Sequence, residues 1–128
     1  VIDERVTQRR NNFLFYKNEF SNIDGVSFVE EPKWHFSNRW LTTVSIDPQK
    51  TDGITREDLR LSLEKENIES RPLWKPMHLQ PIFSSAPFYG TDISEKLFDD
   101  GLCLPSGSNL LPEELDRIAS IIHETLKK

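Results

Sequence analysis

A single cysteine, Cys103, stands in a chain of 128 residues. That excludes an internal disulfide and a cysteine-caged zinc. Glycine occurs five times and never as GxGxxG or GxxxxGK, so no glycine-rich phosphate cradle is present. The three histidines lack the spacing with an acid that makes a zinc helix, and no metal site is expected. No apolar run approaches the roughly 18 residues needed to span a bilayer, and no signal-peptide pattern opens the chain. The expectation is a cytoplasmic protein with no membrane partner. Lysine and arginine number 16 against 21 acids, for a net charge of -5. Such a field repels phosphate polymers, so nucleic acid is not an expected partner unless a local basic patch overrides it.

What is present is an ordinary globular composition, 36% apolar and 29% charged, with a mean hydropathy of -0.55. The length suits one domain or a piece of a larger one. Residues 1–20 read as a helix, with Ile2, Val6, Phe13, Tyr16 and Phe20 on one side and Arg5, Arg9, Arg10 and Lys17 on the other. The stretch opens as the middle of something, and a fragment of a longer chain is expected.

A turn through Gly25 leads to a short strand at residues 26–29. A longer strand follows at residues 39–46, where Trp40, Thr42, Val44 and Ile46 alternate with Leu41, Thr43 and Ser45. Thr55 and the acids after it open a helix with Leu59 and Leu63 inward. Residues 91–100 read as a short helix burying Ile93, Leu97 and Phe98. Leu102, Cys103 and Leu104 form an apolar strand, which makes the cysteine a buried, inert thiol. Ser106, Gly107 and Ser108 suit a turn, or amides offered to an anion. The last helix starts at Pro112 and carries a stripe of Leu115, Ile118, Ala119, Ile122 and Leu126. Glu113 and Glu114 begin it, and Lys127 and Lys128 complement its end. Asp99 and Asp100, like Glu113 and Glu114, read as solvated partners of helix dipoles. The order of elements predicts an α+β fold, a small mostly antiparallel sheet packed against helices on one face.

Residues 69–81, ESRPLWKPMHLQP, carry the chemistry. Three prolines bar regular helix and central strand. Arg71, Trp74, Lys75 and His78 place two cations, an aromatic plate and a titratable ring within eight residues. Arginine and lysine suit a diphosphate, the indole suits a base or sugar face, and the imidazole suits a hydroxyl. These four are the candidate substrate-binding residues, against the plainer reading of a structural loop with snorkelling cations. His35 and His123 read as structural.

The same segment, followed by GLCLPSGSNL and PEELDRI, resembles the C-terminal part of the DegT/DnrJ/EryC1/StrS sugar aminotransferases. The opening VIDERVTQRRNNFLFYKNEF is similar to the helix leaving their large domain, and SNRWLTTVSID to the strand after it. The resemblance implies the small C-terminal domain of a fold-type I enzyme dependent on pyridoxal 5'-phosphate. It assigns residues 1–20 to the connecting helix and residues 21–128 to the small domain. It further implies amino transfer, typically from glutamate, to a keto sugar linked to a nucleotide for surface polysaccharide or glycan synthesis. The RPLWKPMH form resembles that of the subgroup acting on UDP-linked 4-keto-6-deoxy amino sugars. The full enzyme would be a homodimer whose large domain binds the cofactor and carries the Schiff-base lysine, so no catalytic residue is expected here. Many members carry His-Tyr where this chain has Pro72-Leu73, which puts that contact in doubt. A free-standing binding module without catalysis is the alternative.

Overall fold

The computed structural model describes residues 1–127; Lys128, expected to face the last helix dipole, lies outside the described residues. Four α-helices and four strands follow one another as α1 (Ile2–Phe20), β1 (Val26–Phe28), β2 (Thr42–Ile46), α2 (Arg56–Lys65), β3 (Arg71–Pro72), α3 (Ile93–Asp100), β4 (Gly101–Leu104) and α4 (Pro112–Leu126). The strands pair antiparallel in the order β1-β2-β4-β3. The α+β expectation therefore holds.

Register decides which face is buried. Val44 pairs with Leu102 and Thr42 with Leu104, so these side chains share one side of the sheet. Val44, Ile46, Leu102 and Leu104 there meet Tyr16 and Phe20 of α1, Leu59 and Leu63 of α2, and Leu115, Ile118, Ala119 and Ile122 of α4. Helix α2 starts where a reciprocal cap closes its first turn: the Asp58 amide donates to Thr55 Oγ1 at 3.2 Å, and the Thr55 amide donates to Asp58 Oδ2 at 2.8 Å. Helix α4 starts at Pro112, with the Leu111 amide held by Glu114 Oε2 at 2.8 Å.

Two glycines have specific causes. Gly25 turns the chain with φ +83, and an added Cβ would meet Thr51 Cγ2 at 2.7 Å. At Gly101 an added Cβ would strike the Leu97 carbonyl oxygen and the Leu73 side chain. That close approach lets α3 run into β4 with no intervening loop.

Four local expectations are corrected. The second strand begins at Thr42 rather than at residue 39. Asn38 Oδ1 accepts from the Trp40 amide at 3.0 Å, and Arg39 takes φ +49. This side-chain turn bends the chain out of the sheet before pairing starts. Trp40 is therefore 61% exposed, not inward.

Helix α3 buries none of its residues. It is tethered to the start of β4 and so stays at the rim: Ile93 is solvent-exposed, and Phe98 lies beneath the Arg56 guanidinium, 5.5 Å from the ring centroid. Asp99 and Asp100 end α3, where the dipole is negative, and burial raises the Asp100 carboxyl pKa. Asp100 is thus a misplaced charge rather than a dipole partner. In α1 the core face is carried by Phe13, Tyr16 and Phe20, while Ile2 projects into solvent beyond the sheet.

Candidate functional site

Beyond the core, a cleft of about 420 Å³ opens where the segment leading into β3, the end of β4 and the chain entering β2 converge. Trp40 and Trp74 stand on its walls, with Leu41 and Pro105 also in its lining. The two indole centroids lie 6.4 Å apart with planes inclined at 38°. Neither ring is covered: Trp74 is 69% exposed.

The four candidate residues separate into two groups. Arg71 and Trp74 line the cleft. Arg71 is tied to Glu69 Oε1 by Nε at 2.7 Å and by Nη2 at 2.5 Å. Both side chains are about three-quarters exposed, so the pair adds little stability and can exchange for an anion. Lys75 and His78 do not line the cleft. Lys75 is exposed, and its carbonyl accepts from Gln80 Nε2 at 3.3 Å. His78 sits in a 3-10 turn, Met77–Leu79. Its Nε2 lies 2.8 Å from Glu95 Oε1 of α3, and its ring stacks on Phe88 with centroids 3.8 Å apart. The imidazole therefore holds the proline-rich loop against α3.

Sequence reasoning missed Trp40 and the anchors beneath the cleft. Arg9 Nη1 donates to the Trp40 carbonyl at 2.5 Å and to the Ser106 carbonyl at 3.3 Å. Asn12 Nδ2 donates to the Gly107 carbonyl at 2.9 Å, and the Tyr16 hydroxyl to the Pro105 carbonyl at 2.9 Å. Arg10 Nη1 reaches the Ser37 carbonyl at 2.5 Å. One edge of α1 thus fixes both loops that frame the cleft. Glu31 collects the other strap: the Ser37 amide donates to its Oε1 at 2.6 Å, and Arg10 Nη1 lies 3.0 Å from Oε2. The Ser37 amide and then Arg10 hold its carboxyl below the ordinary value. The only advance sign was Asn38, a residue that favours such turns.

Two reactive candidates are inert. Cys103 is 7% exposed, and burial pushes its thiol pKa up, away from the nucleophilic thiolate. The Ser106 hydroxyl accepts from the Thr42 amide at 2.8 Å and donates to the Leu104 carbonyl at 2.8 Å, so it serves the loop rather than an anion. The Ser70 hydroxyl, on the cleft wall, is buried without a partner.

The cleft does not fit pyridoxal phosphate as a resident group. Among the described residues no lysine amine lines it, and the one carboxylate there, Glu69, is exposed and paired to Arg71 rather than buried against a ring nitrogen.

The family described as the DegT/DnrJ/EryC1/StrS aminotransferase family matches residues 1–123. EpsN of Bacillus subtilis, named as a pyridoxal phosphate-dependent aminotransferase, is 45% identical over 126 residues, covering 95% of this chain and 31% of that protein. A GDP-perosamine synthase of Caulobacter vibrioides is 26% identical over 130 residues, covering 98% of this chain and 33% of that protein. This chain thus spans about a third of the length of these relatives. Among solved structures, DesI in the presence of its TDP-sugar product superposes with TM-score 0.83 at 22% identity, over 96% of this chain and 31% of that one. The aminotransferase TlmJ from Streptoalloteichus hindustanus gives 0.81 at 20% identity, over 95% and 32%. At those identities the likeness is one of fold.

Proposed function

We propose, from the premise that this chain belongs to the DegT/DnrJ/EryC1/StrS aminotransferase family, that it is the small domain of a nucleotide-sugar aminotransferase. The match over residues 1–123 carries the reading. The name GDP-perosamine synthase on several relatives supports a nucleotide-linked sugar as substrate. In this reading residues 1–20 connect to a large domain and residues 21–128 form the small one.

Pyridoxal phosphate supplies the electron sink and carries the amino group, held by polypeptide outside these residues. The amino donor is glutamate, and the acceptor is the keto group of the sugar, with a UDP-linked 4-keto-6-deoxy amino sugar the specific substrate proposed. The complete enzyme acts as a cytoplasmic homodimer in polysaccharide synthesis. Among the described residues no helix is long and apolar enough to cross a membrane.

This chain's own residues bind and orient. Arg71 offers a bidentate fork to the diphosphate. Trp74 offers a stacking face, and exposed Lys75 adds positive charge beside the entrance. His78 acts through Glu95 to set the loop that presents them.

The test is an amino-transfer assay on the protein of the relatives' full length that carries this domain, with pyridoxal phosphate, glutamate and keto-sugar nucleotides. Formation of 2-oxoglutarate with an amino sugar nucleotide is expected. The 128-residue chain alone should neither turn over nor form a Schiff-base absorption band. Turnover by the chain alone, or none by the full-length protein, overturns the reading.

A further inference from the structure

We propose that Trp40 and Trp74 form a nucleoside subsite: the paired indoles receive the base of the nucleotide-linked substrate while Arg71 exchanges Glu69 for its diphosphate. The inference rests on the nucleotide-sugar reading above and deepens it by naming the groups that hold the nucleoside.

Both indoles are exposed. Trp40 and Trp74, brought side by side from segments 34 residues apart in sequence, are 61% and 69% exposed. Indoles are among the most favourable groups to take out of water, so an adjacent wet pair marks a surface that something covers. Their shape also suits a flat ligand. Rings inclined at 38° with centroids 6.4 Å apart do not close on each other as a stacked pair, and both border the same cleft of about 420 Å³. A purine or pyrimidine presents a flat face to an indole, and stacking of this kind accepts any base.

The polar groups at the cleft suit a nucleoside diphosphate. The unpartnered Ser70 hydroxyl can donate to or accept from a base edge. The Glu69 carboxylate, once Arg71 leaves it, accepts from ribose hydroxyls. One guanidinium in the lining matches one diphosphate; a polynucleotide would call for a row of cations, which a chain of net charge -5 does not set around this cleft. The walls are prepared. The Trp40 carbonyl is fixed by Arg9 and its amide by Asn38, while Pro72 and Pro76 flank Trp74. Little ordering is left to be done on binding.

The rival occupant is protein, either polypeptide of the longer relatives' length or a second subunit packed over the indoles. The experiment separates the two. UDP, GDP, inorganic pyrophosphate and glucose are titrated by tryptophan fluorescence and calorimetry into the 128-residue chain and into the full-length enzyme. UDP or GDP should quench emission in both, and pyrophosphate should bind more weakly without quenching. Trp40→Ala and Trp74→Ala should each weaken nucleotide binding about tenfold or more, as expected for loss of a stacking face. Trp74→Phe should restore part of it, which guards against simple misfolding. Trp34→Ala, outside the cleft, should change nothing. Wild-type affinity in Trp40→Ala and Trp74→Ala overturns the subsite, as do quenching by pyrophosphate alone and indoles that are silent to nucleotide in the full-length enzyme. In that enzyme, an unchanged KM for the sugar nucleotide in Trp74→Ala refutes the subsite and leaves the aminotransferase reading standing. Absence of amino transfer in the wild type refutes that reading instead.

Discussion

Removing one oxygen from Tyr16 should loosen the cleft floor and change how stability responds to alkali. The side chain is fully buried, and its hydroxyl donates to the Pro105 carbonyl at 2.9 Å. Tyr16→Phe keeps the ring that packs against Phe15 and Phe20. It removes a hydrogen bond with a net worth of about 1 kcal/mol and strips the Pro105 carbonyl of that donor, so a loss of about 1–2 kcal/mol is expected at pH 7. With a urea m-value of roughly 2 kcal/mol/M, the unfolding midpoint should fall by about 0.5–1 M.

The alkaline limb supplies a second reading. Burial pushes the Tyr16 phenol above its ordinary value near 10. The unfolded chain releases that proton as the pH passes about 10, while the folded chain keeps it. The folded state then binds the extra proton, and stability falls with rising pH by about 1.4 kcal/mol per unit until the folded phenol also ionises. Tyr16→Phe has no such proton, so the wild-type advantage at pH 7 should shrink by pH 11. Urea titrations of both proteins at pH 7, 9, 10 and 11 measure this. A variant within 0.3 kcal/mol of wild type at pH 7, or a difference between the two that stays constant to pH 11, would refute the reasoning.

Thr55→Ala should lower stability by about 1 kcal/mol, read as a drop in Tm, because it opens the cap at the start of α2. The Thr55 hydroxyl and amide hold the Asp58 carboxyl below its ordinary 3.8. That contribution is present above the unfolded carboxyl pKa and is lost as pH falls through the lower folded one. The gap between wild type and Thr55→Ala should therefore narrow in acid. Asp100→Asn should raise stability at pH 7 by about 0.5 kcal/mol, since it removes a charge from the negative end of α3. Burial, with help from the charges of Asp47 and Asp99, raises this carboxyl's pKa. The wild type recovers the difference as pH falls through that raised value, so equal gains at pH 7 and pH 3 would contradict the assignment.

Helices α2 and α4 were legible because their information is local. A cap residue, a first turn of acids and a leucine or isoleucine stripe each act within a few positions, and the burial of Leu59, Leu63, Ile118 and Ile122 follows from that spacing. The strand through Val44 and Ile46 was legible for the same reason, by alternation. Its start was not, because one side chain, Asn38, turns Trp40 out of the pattern. At residues 69–81 composition marked a special segment but not its geometry. The 3-10 turn at Met77–Leu79 carries His78 to Glu95, so a cluster compact in sequence divides in space.

The largest gap lay in α1, and its cause is separation along the chain. Arg9, Asn12 and Tyr16 meet Ser106, Gly107 and Pro105 across separations of 97, 95 and 89 residues. No periodicity within residues 2–20 reports a partner that distant, and arginine on a helix edge reads as solvated until that partner is known. The same bonds explain why a helix with so little apolar surface belongs to the domain. Its apolar side is carried by Phe13, Tyr16 and Phe20 with Phe15 half-buried beside them, while its polar edge satisfies carbonyls of two loops that have no strand neighbours at those positions. The cleft is therefore set from below by α1. If α1 continues from a large domain, as the family relationship proposes, displacement of that helix would move Trp40 and Ser106 together through the single guanidinium of Arg9.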